Sequence, residues 1–135
     1  MCYFLYGAVN SGIRMDDAQS VSAGSLFHFT AGDRESVNAC VERCGSDYRL
    51  TNRHCDCETA VGAHDPDRPE LAELCDLLYA LRTVRGVKHV YLSKNWAYET
   101  NQSQIVRHID DLDLKPFLAD LEENCLYKIQ LFKRY

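Results

Sequence analysis

The sequence predicts a mixed α/β (or α+β) fold built on one mixed, partly parallel sheet. Three observations predict this class: apolar runs of strand length lie near both ends of the chain, other segments repeat apolar residues with helical spacing, and the two patterns alternate. We expect about five to six strands and three helices, in the order β-β-α-β-α-β-β-α-β. A length of 135 residues is typical of one domain, so residues 1–135 are expected to form a single mixed α/β domain.

The first strand is predicted at residues 3–9, which are aromatic and aliphatic with little polar interruption, as in a strand covered on both faces. Residues 14–24 are small and polar without clear periodicity, so we expect a connection there. A second strand is predicted at 25–30.

The first helix is predicted to begin at Asp33, whose side chain can cap the free amide groups of the first turn. Gly45 follows where a left-handed terminating residue belongs, so the helix is expected to end at about Cys44. Its apolar stripe consists of Val37, Cys40, Val41 and Cys44. A short third strand should follow at 48–51.

The second helix has the clearest signals in the chain. Asp67 and Glu70 are spaced like an acidic capping box, Pro69 suits the first turn, and Gly86 marks the end. The apolar stripe consists of Leu71, Leu74, Cys75, Leu78 and Leu81, widened by Leu77 and Val84. A strand at 87–93 should follow.

The last third of the chain predicts a strand, a helix and a strand. A weak strand pattern at 104–109 precedes a helix that Asp113 caps and Asn124 closes. Alternating apolar residues from Tyr127 onward then predict a terminal strand with one buried face.

Three loops are expected to meet at one edge of the sheet. If the second, third and fourth strands run parallel, residues 30–33, 52–65 and 94–103 leave the sheet on the same side. Open α/β sheets bind ligands outside the carboxyl ends of their strands. This edge is therefore the predicted location of a functional site.

Composition restricts the classes of function. The net charge of −5 and pI near 5.5 would repel phosphate backbones, so we expect no nucleic-acid partner. No apolar run approaches the roughly 18 residues of a membrane helix, so we expect no membrane partner. The 7 cysteines, an odd number, are typical of reduced thiols in the cytoplasm. The oligomeric state and the identity of any protein or small-molecule partner do not follow from composition.

Most cysteines are interpreted as packing residues. Cys40, Cys44 and Cys75 fall on apolar helix stripes, where a free cysteine behaves as a small hydrophobic residue, and Cys2 and Cys125 flank predicted strands.

The loop sequence His54-Cys55-Asp56-Cys57 is chemically distinctive. His54, Cys55 and Cys57 place three zinc-compatible ligands within four residues, and zinc is therefore the candidate cofactor. The fourth ligand would be His64, Cys44, Cys2 or water.

A cysteine-dependent enzyme is the alternative. Cys55 or Cys57 would be the nucleophile at the carboxyl edge of the sheet, activated by a histidine or Lys94, with Asp56 or Asp65 orienting the base. The acidic neighbours count against this role, because negative charge raises a thiol pKa. The sequence contains no known catalytic motif, which favours a protein that is not an enzyme.

A third interpretation requires neither a metal ion nor a covalent reaction. Both loop thiols turn inward as packing residues, and four side chains line a surface for a protein or small-molecule partner: Arg53, Asp56, Lys94 and Trp96. Trp96 is the only tryptophan, and such a ring in a polar loop often anchors a ligand. We therefore predict a small intracellular binding or regulatory module, with zinc at its loop as the candidate structural ion.

Overall fold

A computed structural model describes residues 3–10, 15–22, 26–27, 29–31, 48–51, 56–96, 99 and 101–132 of the chain. Its elements are, in order, β1 (Tyr3–Val9), α1 (Met15–Ser22), β2 (Thr30–Ala31), β3 (Tyr48–Arg49), α2 (Glu70–Leu81), β4 (His89–Trp96), β5 (Ser103–His108), a 3-10 turn (Ile109–Asp111), α3 (Leu114–Ala119) and β6 (Cys125–Gln130). The protein is a mixed α/β structure, as the sequence predicts.

The sheet is mixed, with the strand order β2-β3-β1-β4-β6-β5. β1 lies antiparallel to β4, from Tyr3 opposite Trp96 to Val9 opposite Val90. β6 lies antiparallel to β4 and parallel to β5. Parallel neighbours need a crossover, and α3 lies in the segment that connects β5 to β6. The four strands of 6 residues or more are β1, β4, β5 and β6.

The predicted strand count and element order are not confirmed. β2 and β3 contain 2 residues each, so the strand expected at 25–30 is much shorter. Residues 15–22, expected as a connection, form α1, whose sequence is polar. Its Val21 packs against the core, and this tertiary contact supports a helix that propensity alone does not reveal. The helix predicted at 33–44 lies outside the described residues.

The second, third and fourth strands do not all run parallel, so the condition under which three loops would meet at one edge is not met. β3 lies antiparallel to β2 and to β1, and β1 lies antiparallel to β4. β3 and β4 therefore point the same way on either side of β1, whereas β2 points the opposite way. As a result, the carboxyl ends of β3 and β4 lie at the same end of the sheet, and the carboxyl end of β2 lies at the opposite end.

The main core lies between α2, α3 and one face of the sheet. The predicted helix stripe is confirmed, because Leu71, Leu74, Leu78 and Leu81 are fully buried and Cys75 is buried beside them. Each such leucine stabilises the folded state by about 1.5–3 kcal/mol, because its side chain is removed from water.

α3 ends at Ala119, earlier than predicted. Among the described helices, none combines the length and the apolar character needed to cross a membrane.

Gly7 allows a close approach between β1 and the residue that follows β3. A Cβ at position 7 would lie 2.6 Å from Leu50 Cγ and 2.9 Å from both of its methyl carbons. Leu50 is itself almost fully buried in the core. The absence of a side chain at position 7 thus allows Leu50 to pack directly on the backbone of β1.

Replacing Gly7 with alanine should therefore destabilise the fold by about 1–3 kcal/mol, because the core cannot expand freely. Urea unfolding followed by circular dichroism measures this loss. A double-mutant cycle with Leu50→Ala is the control, since removing the obstructing side chain should make the double variant more stable than the summed single losses imply. Purely additive losses would contradict the proposed contact.

Candidate functional site

Four side chains meet at the end of the sheet where β4 finishes, and we call this region the terminal cleft: Tyr3, Lys94, Trp96 and Glu123. Lys94 and Trp96 are two residues apart on β4 and so share one face of the strand. The register of β1 places Tyr3 directly opposite Trp96. Glu123 comes from the segment between α3 and β6.

Tyr3 and Trp96 form an aromatic pair. Their ring centroids are 4.7 Å apart with an interplanar angle of 68°, an edge-to-face arrangement that aromatic rings favour. The Tyr3 hydroxyl hydrogen-bonds to Glu123, and this bond raises the pKa of Tyr3, because deprotonation would lose it and place two negative charges together. Both rings are only half-buried, so the pair is open to a ligand.

Lys94 is held at the border of this pair. Its Nζ donates a hydrogen bond of 3.0 Å to the carbonyl oxygen of Val61 and lies 5.2 Å from the centroid of the Tyr3 ring. The side chain is half-buried, and burial lowers the pKa of the Lys94 ammonium, an effect that the negative charge of Glu123 partly opposes. The Val61 carbonyl and the Tyr3 ring thus hold the amine at the border of the cleft.

Asn124 joins the end of β4 to the start of β6. It adopts a left-handed conformation with φ of 56°, which asparagine tolerates better than most residues. Its N–H donates to the carbonyl oxygen of Lys94 at 2.9 Å, and its Oδ1 accepts the Trp96 N–H at 3.2 Å. These bonds hold the backbone beneath two cleft side chains.

Two depressions open on the terminal cleft and share Glu123. The first, the aromatic pocket, has a volume of about 430 Å³ and is lined by Tyr3, Trp96, Glu99, Gln102, Glu123 and Asn124. The second, the lysine pocket, has a volume of about 490 Å³ and is lined by Gly62, His64, Lys94, Leu121, Glu122 and Glu123. One pocket is therefore aromatic and acidic, and the other carries an amine beside carboxylates.

Asp56 anchors the loop after β3 to β1. It is 1% exposed, and its carboxylate accepts the Leu5 N–H at 2.8 Å and the Thr51 hydroxyl. The carbonyl oxygen of Leu5 accepts the N–H of Leu50, so the carboxylate takes the place of a strand carbonyl on the side of β1 where β3 has ended. Asp56 therefore does not line the predicted recognition surface.

Cys57 borders the same end of the sheet, with an exposed free thiol whose sulfur accepts the Tyr3 N–H at 3.3 Å. The interpretation of Cys57 as an inward packing residue is therefore wrong. Arg53, His54 and Cys55 lie outside the described residues, so their predicted roles stay predictions.

A metal site is not apparent in the part of the chain that the structure describes. No group of three or more His, Cys, Asp or Glu side chains there is placed to hold an ion. His64, one candidate fourth ligand, lies in a turn with φ of 61°, and its Nδ1 is 3.1 Å from a carboxylate oxygen of Asp120. The zinc site at His54, Cys55 and Cys57 is not tested by these contacts.

Sequence reasoning missed Tyr3 and Glu123. The sequence pattern predicts Tyr3 only as a strand residue. Its role depends on contact with Trp96 at the end of β4. Glu123 had a weak signal, because Asp120, Glu122 and Glu123 follow the carboxyl end of α3, where negative charge opposes the helix dipole. Such local conflicts often mark functional sites.

No family model, curated protein or solved structure matches the chain. The inference of function therefore depends on the chemistry of the terminal cleft.

Replacing Asp56 with alanine should destabilise the protein by about 2–3 kcal/mol, because the buried Leu5 N–H would lose its charged acceptor. The midpoint of urea unfolding measures the effect. The matched control is Glu58→Ala in the same loop, since this exposed side chain should change stability by less than about 0.5 kcal/mol. Equal effects of the two substitutions would show that Asp56 does not anchor the loop.

Proposed function

We propose that the protein is a small binding module whose ligand is an organic cation held in the aromatic pocket. The observation that carries this proposal is the edge-to-face pair of Tyr3 and Trp96 beside the carboxylates of Glu99 and Glu123. Aromatic faces attract cations through their quadrupole, most strongly in the case of tryptophan. Carboxylates at the rim add a direct charge interaction.

The charges around the cleft also favour a cationic ligand. Lys94 contributes one positive charge at the border, but three carboxylates line the two pockets: Glu99, Glu122 and Glu123. The whole chain carries a formal charge of −5, which draws cations toward the surface and repels anions. An anionic ligand would have to overcome both effects.

Amide side chains give the pocket a way to orient its ligand. Gln102 and Asn124 also line the pocket, and an amide both donates and accepts hydrogen bonds. A cation that also carries a hydroxyl or carbonyl group would use both features. The ligand class that fits is therefore a small amine or quaternary ammonium compound with a polar group.

The loop after β3 supplies a structural element in this proposal. Its Cys57 contacts the backbone of Tyr3, so a zinc ion held by His54, Cys55 and Cys57 would stabilise the segment that borders the pocket. Zinc is a structural partner of the pocket in this proposal and does not contact the ligand. Cation binding is accordingly testable on metal-free protein.

Choline is a suitable probe, because its neutral analogue 3,3-dimethyl-1-butanol has nearly the same shape without the charge. Choline should change the fluorescence of Trp96, the only tryptophan, and the neutral analogue should bind about three- to tenfold more weakly. Titrations of chelator-treated protein at constant ionic strength measure both affinities. Equal affinities would contradict recognition of a cation.

Matched glutamate variants locate the binding site. Glu99→Gln and Glu123→Gln should each weaken choline binding by about two- to fivefold, because each removes a carboxylate from the aromatic pocket. Glu122→Gln is the control, since Glu122 lines only the lysine pocket. A loss of affinity as large in the control would place the cation elsewhere.

A further inference from the structure

The lysine pocket presents an amine whose position is unusually restricted for a lysine. The carbonyl oxygen of Val61 accepts one N–H from Nζ, and the ring of Tyr3 lies 5.2 Å from Nζ. Gly62 passes close to the side chain, because a Cβ at that position would lie 3.3 Å from both Cδ and Nζ of Lys94. Gly62 has φ of 74°, so its backbone approaches Lys94 in a conformation that side chains disfavour.

The surroundings of Lys94 make its ammonium group easier to deprotonate than that of an exposed lysine. Burial lowers the pKa of the ammonium, and the charged groups that oppose this shift are Glu123, Cys57 and Asp56. The titratable groups lining the pocket itself are His64, Glu122 and Glu123. A neutral amine keeps two N–H groups, so it still satisfies the Val61 carbonyl while its lone pair is free to react.

We propose that Lys94 is a nucleophilic amine that captures a small neutral aldehyde in the lysine pocket as an imine. The pocket, of about 490 Å³, has room for such a molecule beside Nζ, and Glu122 and Glu123 line it. Because the same carboxylates repel negative charge, the pocket selects against aldehydes that carry a carboxylate. This activity is distinct from cation binding in the aromatic pocket.

The capture is a condensation and needs no oxidant or reductant. The Nζ lone pair forms a bond to the carbonyl carbon, the electrons of the C=O π bond move to oxygen, and one nitrogen proton is transferred to that oxygen through a carboxylate. The carbon–oxygen bond of this adduct then breaks. The second nitrogen proton leaves with the hydroxyl group as water, and a carbon–nitrogen double bond remains.

Reductive trapping tests the proposal on the full chain. The protein is incubated with propionaldehyde and cyanoborohydride, which delivers hydride to the imine carbon, and the resulting secondary amines are located by peptide mass spectrometry. We expect Lys94 to be labelled about fivefold faster than Lys115, an exposed lysine in α3 that is the internal control. In urea that unfolds the protein the two rates should become similar.

The charge of the aldehyde gives an independent readout. Glyoxylate, which carries a carboxylate, should label Lys94 more slowly relative to Lys115 than propionaldehyde does, and the double substitution of Glu122 and Glu123 by glutamine should remove this difference. Labelling of Lys94 no faster than Lys115 in the folded protein, or a preference for glyoxylate, would overturn the proposal. Because choline titration does not depend on Lys94 reactivity, either proposal can fail alone.

Discussion

The antiparallel register of β1 on β4 is the constraint on which the remaining structure depends. It places Tyr3 opposite Trp96 at one end and Val9 opposite Val90 at the other. A slip by one residue would turn Leu5 and Val9 out of the core and Tyr3 away from the cleft, since side chains alternate along a strand. Burial of apolar residues therefore fixes the same register that assembles the terminal cleft.

The buried carboxylate of Asp56 attaches the loop after β3 to β1. β3 is only 2 residues long, so β1 has backbone groups that no regular strand can pair. Asp56 accepts the Leu5 N–H in place of a strand carbonyl and donates its own N–H to the carbonyl oxygen of Tyr3 at 2.9 Å. Asp56 therefore has a structural role, because its hydrogen bonds hold the loop that carries Cys57 beside Tyr3.

Glu123 lies between the aromatic pocket and the lysine pocket and lines both. It hydrogen-bonds to Tyr3 and opposes the effect of burial on Lys94. The acidic residues after α3 lie where negative charge is unfavourable against the helix dipole. The sequence shows this unfavourable placement but gives no reason for it. The tertiary structure gives a reason for two of them, because Glu122 and Glu123 line the pockets that contain the amine and the aromatic pair.

The sequence alone determined the mixed α/β class, the first strand and the apolar stripe of α2, because hydrophobic periodicity is a local property. It also selected Lys94 and Trp96 as candidate site residues, but the expected loop position was wrong, because both residues lie on β4. Only the tertiary structure decided that β3 and β4 both run antiparallel to β1, that Asp56 is buried and Cys57 exposed, and that Tyr3 meets Trp96. Strand direction and pairing depend on which distant segments bury each other best, a balance that no local pattern encodes.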